Sequence, residues 1–221
     1  MTTTDLQKPA APAAPARWRT APGIRLVWLH WRSRRVPAAV LALAVCGGVL
    51  RAALEWGWLF RTGHFAQEFP MIIEGGAAAV LVITTHSPFG EPERTASRWL
   101  PYLRLGTALA MTGVAIGVLQ LAVTGASLDG GVLVLARNVI GVTGIGLLSS
   151  LVTDGLLAWI LPMAYIAFAE YALLQSWTNP WTWPVRPPAD RGAWLCACAV
   201  FAAGLVAFTI RGARTRLPDD G

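Results

Sequence analysis

The chain has 221 residues, of which 55% are hydrophobic and only 14% charged, and its formal net charge is +6. Soluble domains carry about a quarter charged residues, so this composition argues against a soluble globular fold, a disordered chain and a nucleic-acid-binding domain. A strongly apolar chain with a positive charge is typical of a membrane protein whose basic residues set its topology.

The first 35 residues divide into two segments. Residues 1–16 are rich in Ala, Pro and Thr without apolar periodicity, which predicts a disordered cytoplasmic tail. Residues 17–35 interleave tryptophans with six arginines, which predicts an amphipathic helix on the membrane surface; a loop that only supplies topogenic charge is the alternative. Because basic residues precede the first apolar run, an uncleaved membrane anchor fits better than a cleaved signal peptide.

Six apolar segments follow, and their lengths suit helices that cross about 30 Å of hydrocarbon. They are approximately 36–54, 69–86, 105–124, 131–153, 156–176 and 193–210. Strand-like alternation is absent from these segments. They therefore predict an all-α, polytopic integral membrane protein, with a six-helix transmembrane domain over 36–210 and a cytoplasmic tail over 211–221.

The basic residues also predict the orientation of the chain. If the N-terminus is cytoplasmic, thirteen of the eighteen lysines and arginines face the cytoplasm and four face outside. Cytoplasmic loops carry the excess of positive charge, so both termini are expected in the cytoplasm.

A single lysine among so many arginines suggests a GC-rich bacterial genome and hence a bacterial cell membrane. The loop 87–104 is then cytoplasmic. The Trp- and Pro-rich loop 177–192 is external, where it either dips into the membrane or forms a stiff turn.

Three ionisable residues lie inside the predicted spans, where a charge is expensive and is therefore a candidate for function. They are Glu74, Arg137 and Glu170. The predicted topology places all three in the outer third of the membrane. We expect Arg137 to pair with Glu74 or Glu170, assisted by Asn138, and to line a cavity open to the outside. A buried ion pair that only fixes the helix register is the alternative.

The other motifs indicate packing and not catalysis. Gly113 and Gly117 form a G-x-x-x-G pattern, and Gly141, Gly144 and Gly146 line the fourth segment, which favours close helix approach. The sequence contains no nucleophile elbow, no H-E-x-x-H and no acidic metal-binding run, so neither catalysis nor a metal is expected. A Walker A motif needs a lysine after a glycine, and the only lysine follows a glutamine. The chain is therefore not expected to bind ATP through a P-loop.

The architecture over about 22–211 resembles the membrane subunit of a bacterial ABC exporter of the type-2 permease class. The shared features are a Trp/Arg-rich segment before the first span, six spans, two cytoplasmic ends, and an aromatic, Pro-rich loop before the last span. The segments THSPFGEPERTASRWLPYLRLG and RNVIGVTGIGLLSS are also similar to small actinobacterial membrane proteins of this kind. The resemblance implies a surface connecting helix before the first span, a coupling helix in the first cytoplasmic loop, and short re-entrant helices in the last external loop.

By position, the coupling region would be 86–104, and its likeliest polar contacts are Glu91, Glu93, Arg94 and Arg98. The resemblance further implies three partners: a separate ATPase subunit that binds ATP and Mg²⁺, a second permease copy or homologue, and membrane lipids. The expected function is thus the permease subunit of an ATP-driven exporter. The alternatives are an ion- or proton-coupled secondary transporter or channel subunit, and a non-transporting membrane scaffold or immunity protein.

Overall fold

A computed structural model describes residues 35–56, 65–84, 100–125, 131–153, 157–177 and 179–211. Within these ranges every regular element is a helix, which confirms the predicted all-α class. The α-helices are α1 (Val36–Glu55), α2 (Phe65–Ile83), α3 (Leu100–Val123), α4 (Gly131–Val152), α5 (Ile160–Leu174) and α6 (Arg191–Arg211). A short 3-10 helix, Pro180–Val185, lies between α5 and α6. The predicted tail 1–16, almost all of the amphipathic segment 17–35 and nearly all of the tail 211–221 lie outside the described residues.

Four of the described helices, α1, α3, α4 and α6, are long and apolar enough to cross a membrane. The other two are shorter apolar helices over Phe69–Ile83 and Ile160–Leu174. At 1.5 Å per residue, the 15 residues of α5 extend about 22 Å, less than the roughly 30 Å hydrocarbon core. The fold is that of a helical membrane protein. Helix α5 is shorter than its predicted segment 156–176, whereas α2 begins and ends a few residues earlier than its predicted segment 69–86.

Local geometry explains the two early helix ends. The Thr84 hydroxyl donates to the Leu81 carbonyl at 2.6 Å, where α2 ends. In α5, Ser176 adopts a left-handed conformation with φ 53°, directly after the C-cap residue Gln175. Both predicted spans extended past these ends, over the polar residues Thr84 and Gln175, because hydropathy does not mark where a helix ends.

Contacts along α2 and α4 show that these two helices run in the same direction. Asn138 of α4 contacts Glu74 of α2 at 2.8 Å, and further along, Gly146 of α4 lies against Val82 of α2. The sequence separation is the same in both pairs, as parallel helices in register require. We call the end at which α2 and α4 begin the Arg137 end of the bundle.

The remaining directions follow from similar pairs. Helix α5 runs opposite to α2 and α4, because Pro162 lies against Gly146 whereas Ile166, one turn later, lies against Gly75. Residues from the first half of α3 line one cavity with residues near the ends of α2, α4 and α6, so α3 also runs opposite to them. From α2 to α6 the direction of the chain therefore alternates from helix to helix, as consecutive membrane crossings require.

Helix α4 is the central helix and packs most extensively against α6. The two backbones touch: a Cβ atom added at Gly144 would lie 2.6 Å from the backbone of Phe201, and one added at Gly204 would lie 2.5 Å from the Gly144 carbonyl oxygen. By contrast, a Cβ atom at Gly113 or Gly117 would meet nothing within 4 Å. The predicted close approach is therefore real for the glycines of α4 and wrong for the G-x-x-x-G of α3 within the described chain.

The outer faces of the helices are apolar. Large side chains such as Leu41, Leu121, Leu195 and Ile210 are between 67% and 74% exposed. Water would not tolerate so many exposed aliphatic side chains around a whole bundle, whereas lipid does. Burial inside the bundle is instead concentrated on α4 and on the faces turned toward it.

Candidate functional site

Arg137 is completely buried on α4, and its partners lie 49 and 50 residues further along the chain. Its Nη1 donates to the Pro187 carbonyl and its Nη2 to the Arg186 carbonyl, each at 2.8 Å. These partners are main-chain carbonyls and not the carboxylates of Glu74 or Glu170 that the sequence suggested.

The backbone conformation of the loop and the shape of the guanidinium explain why Arg137 binds main-chain carbonyls. Around Arg186 the backbone is extended, with φ −89° and ψ 152°, so the Arg186 carbonyl lies outside any helical hydrogen-bond ladder. The Pro187 carbonyl accepts the Asp190 amide at 3.2 Å and has room for one further donor. A carbonyl without a donor is costly to bury in an apolar medium. The planar guanidinium offers several donors in a fixed fork and serves two adjacent carbonyls at once. Arg137 thereby holds non-helical backbone in place against α4.

Glu74 and Asn138 form the second polar contact at the Arg137 end. Asn138 Nδ2 donates to Glu74 Oε2 at 2.8 Å, and the two side chains are only 1% and 3% exposed. Asn138 follows Arg137 directly, so one turn of α4 supplies both contacts. Glu74 also interacts electrostatically with the Arg137 guanidinium. The structure places Glu74, Arg137 and Asn138 together at one end of the bundle.

A half-buried acid, Asp190, and a second arginine, Arg186, balance the formal charge of the cluster. Asp190 Oδ2 accepts from Arg186 Nε at 2.6 Å, and Asp190 Oδ1 accepts from the Ala193 amide at 3.1 Å, which caps the start of α6. The Ala193 amide and the Arg186 guanidinium together hold the pKa of Asp190 below its usual range. Asp190 also interacts with Arg137. With Glu74, the four formal charges of this cluster cancel.

The 3-10 helix Pro180–Val185 reaches deep into the bundle. Trp183 is 2% exposed, and its indole lies where a Cβ atom at Gly141 would come within 2.6 Å. Gly141 lies ten residues after the start of α4, about 15 Å along a helix of about 33 Å. The Trp183 side chain therefore reaches about halfway along α4, as the re-entrant interpretation of the loop would require.

The neighbours of Trp183 hold the segment from α5 as well. The Tyr165 ring stacks on the Trp183 ring with centroids 4.7 Å apart, and the Tyr165 hydroxyl donates to the Trp181 carbonyl at 2.6 Å. Sequence reasoning missed Gly141, Tyr165 and Trp183 as a unit. The only available signal was the cluster of tryptophans and prolines in the loop.

The remaining predicted site residues are placed differently. Glu170 lies on α5 one turn beyond Ile166, towards the Arg137 end of the bundle, and is half-buried. Glu91, Glu93, Arg94 and Arg98, the predicted ATPase contacts, lie outside the described residues. Arg104, the last residue of the predicted loop, is buried and already part of α3.

A small cavity of about 20 Å³ lies toward the opposite end, where α2, α4 and α6 finish. It is lined by Leu81, Thr84, Arg104, Thr107, Ala108, Met111, Thr112, Thr143, Leu147 and Phe208. This volume suits one water molecule. Thr143 is 2% exposed, and its hydroxyl has no hydrogen-bond partner within the described part of the chain. A water molecule in the cavity could therefore form a hydrogen bond with this hydroxyl.

At the Arg137 end the described residues form buried hydrogen bonds between helices and to the loop backbone. In the ranges that the structure describes, no three His, Cys, Asp or Glu side chains are placed to hold a metal ion. Asn138 Oδ1 and Arg137 Nε are buried without a hydrogen-bond partner among those same residues, although nearly all buried polar atoms have one.

No protein-family model matches the chain, and neither a curated protein nor a solved structure matches it.

Proposed function

We propose that this chain is the permease subunit of an ATP-driven exporter in a bacterial cell membrane, with both termini in the cytoplasm and a separate ATPase as its motor. One observation carries the proposal. The segment between α5 and α6 is buried halfway along α4 at Trp183. Short re-entrant helices at this place in the chain are what the resemblance to type-2 permeases implies. The alternating helix directions support the same topology.

In this arrangement the Arg137 end faces outside and the connection between α2 and α3 faces the cytoplasm. ATP and Mg²⁺ bind to the ATPase. Closure of two ATPase subunits pushes on residues 86–104 of two permease copies, with polar contacts from Glu91, Glu93, Arg94 and Arg98. The substrate must bind the inward and outward states with different affinities, because hydrolysis would otherwise move nothing.

Co-expression with an ATPase encoded beside this gene tests the proposal. We expect the ATPase to co-purify with this chain and its hydrolysis rate in nanodiscs to depend on the chain, and we expect Arg94→Glu to weaken both. Arg191→Glu is the matched control, because it makes the same charge reversal at an exposed position at the other end of the bundle. Failure to co-purify with the unaltered chain, or equal effects of the two variants, would contradict the proposal.

An ion- or proton-coupled transporter is the second candidate, and the burial of Glu74 beside Asn138 favours it. Ionisable residues at such depth commonly mark ion or proton pathways. If this candidate is correct, liposomes containing only this chain will show a proton flux, detected with a pH-sensitive dye, that Glu74→Gln abolishes. A silent wild-type chain rejects it. A scaffold would give neither ATPase dependence nor flux.

A further inference from the structure

We propose that residues 179–190 form a lid that docks on α4 through two independent contacts and covers the Glu74–Asn138 pair. The polar contact joins Arg137 to the Arg186 and Pro187 carbonyls. The apolar contact seats Trp183 against Gly141. The lid goes beyond the proposed function, because it does not depend on an ATPase and would serve any transport through this bundle.

Val185 shows what the docked lid covers. It packs on a cluster of buried residues that contains Met71, Ala78 and Val142. Met71 and Ala78 lie one turn before and one turn after Glu74 on α2, and Val142 lies one turn after Asn138 on α4. The last residue of the 3-10 helix therefore packs on the apolar cluster whose members flank the Glu74–Asn138 hydrogen bond, and we infer that docking helps to keep water from this pair.

The polar contact depends on the guanidinium. Removal of Arg137 takes the donor away from the Arg186 carbonyl, whereas the Pro187 carbonyl keeps the Asp190 amide at 3.2 Å. A carbonyl that loses its donor regains one only by reaching water. Undocking is the simplest way to reach it. Lysine carries the same charge but has no planar fork, so Arg137→Lys is expected to hold the lid less firmly than arginine and more firmly than Arg137→Gln.

The apolar contact is independent of charge. The Cβ atom of an alanine at position 141 would lie 2.6 Å from the Trp183 indole, and real Cβ contacts do not come this close, so the indole has to move. Gly141→Ala leaves Arg137 and the loop carbonyls unchanged. If Arg137→Gln and Gly141→Ala both expose the same segment, the shared cause is that both destabilise the docked state of the lid.

The flanks of the lid are tied to other helices. On one side, the Tyr165 hydroxyl of α5 binds the Trp181 carbonyl. On the other, Trp194 Nε1 of α6 donates to the Pro188 carbonyl at 2.9 Å, and Asp190 caps α6. None of these contacts involves α4. They hold the two ends of the lid. Trp183 itself also stacks on Tyr165 of α5 and packs with Ala193 and Ala197 of α6, so undocking has to break these contacts as well.

Thiol labelling tests the lid in the full chain in lipid nanodiscs. The native thiols Cys46, Cys196 and Cys198 are first replaced by alanine or serine. Thr182→Cys then reports the lid, because Thr182 is fully buried in the docked state, and a maleimide needs a water-exposed thiolate. Trp181→Cys, at a 55% exposed position, marks full exposure, and Ala122→Cys, at a 7% exposed position on α3, marks burial elsewhere.

We expect the thiol of Thr182→Cys to react slowly, and its rate to rise at least about tenfold in both Arg137→Gln and Gly141→Ala, the factor that corresponds to about 1.4 kcal/mol. The thiol of Ala122→Cys should stay slow in both backgrounds. An unchanged rate at position 182 in both variants would overturn the lid. A parallel rise at position 122 would also overturn it, because exposure would then be global.

Discussion

The contact between α4 and α6 predicts a large effect from one added methyl group. In Gly144→Ala the new Cβ atom would lie 2.6 Å from the backbone nitrogen and Cα atom of Phe201. Ordinary contacts at a Cβ atom begin near 3.4 Å, so the two helices must separate by about 0.8 Å. A side chain can relieve such overlap by rotating, but a backbone cannot. Helix α6 therefore has to shift as a whole.

The magnitude follows from two opposing effects. Overpacking in a tight interior costs up to about 3 kcal/mol, and alanine is better than glycine in a helix by about 1 kcal/mol. We therefore expect Gly144→Ala to lower the free energy of unfolding by about 2 kcal/mol. Gly113→Ala is the matched control, since nothing lies within 4 Å of its added methyl group, and it should raise the free energy by up to about 1 kcal/mol.

The assay is unfolding in mixed micelles with increasing sodium dodecyl sulfate, followed by far-ultraviolet circular dichroism. The same measurement on both variants gives the two free energies under identical conditions. Equal stabilities for Gly144→Ala and Gly113→Ala would refute the reasoning, because they would mean that α4 and α6 are not in backbone contact.

Two further predictions concern the Arg137 end. Asn138→Ala removes the donor 2.8 Å from Glu74 Oε2, so we expect a loss of about 1–3 kcal/mol in the same titration; a variant as stable as the wild type would contradict it. The lowered pKa of Asp190 predicts a stabilisation that is complete at neutral pH and is lost as the pH falls from the ordinary aspartate range to the lowered value. Melting temperatures between pH 7 and pH 3 should show an acid-side decrease that Asp190→Asn reduces, and an identical pH profile would exclude the effect.

The helices were predictable because each apolar run is long enough to specify one. The prediction erred where apolar sequence does not stay helical. Leu157 and Trp159 form a turn before α5, and Gln175 and Ser176 end it, although all four positions border on hydrophobic residues. Hydropathy reports which solvent a residue prefers and carries little information on the backbone angles that end a helix.

The candidate site was predictable in its members and not in its connections. Charges that are costly in lipid marked Glu74 and Arg137, and the helix directions brought them to one end. The partners of Arg137 are main-chain carbonyls. Every residue has one, so the residue types in the sequence do not indicate which carbonyls will accept the hydrogen bonds. The same limit applies to Gly141, whose role depends on Trp183, a residue distant in sequence. Side-chain chemistry identified the groups, and only the fold could pair them.

The separation between Arg137 and its carbonyl partners has a consequence for biosynthesis. Arg137 is made 50 residues before Pro187, and at about 5–20 residues per second the ribosome needs about 3 to 10 seconds to supply that carbonyl. During this interval α4 carries a guanidinium without the acceptors it has in the finished protein. Because such a group is costly in lipid, α4 is expected to stay beside the insertion machinery until the last helix arrives, and release of α4 and α6 should be one concerted event.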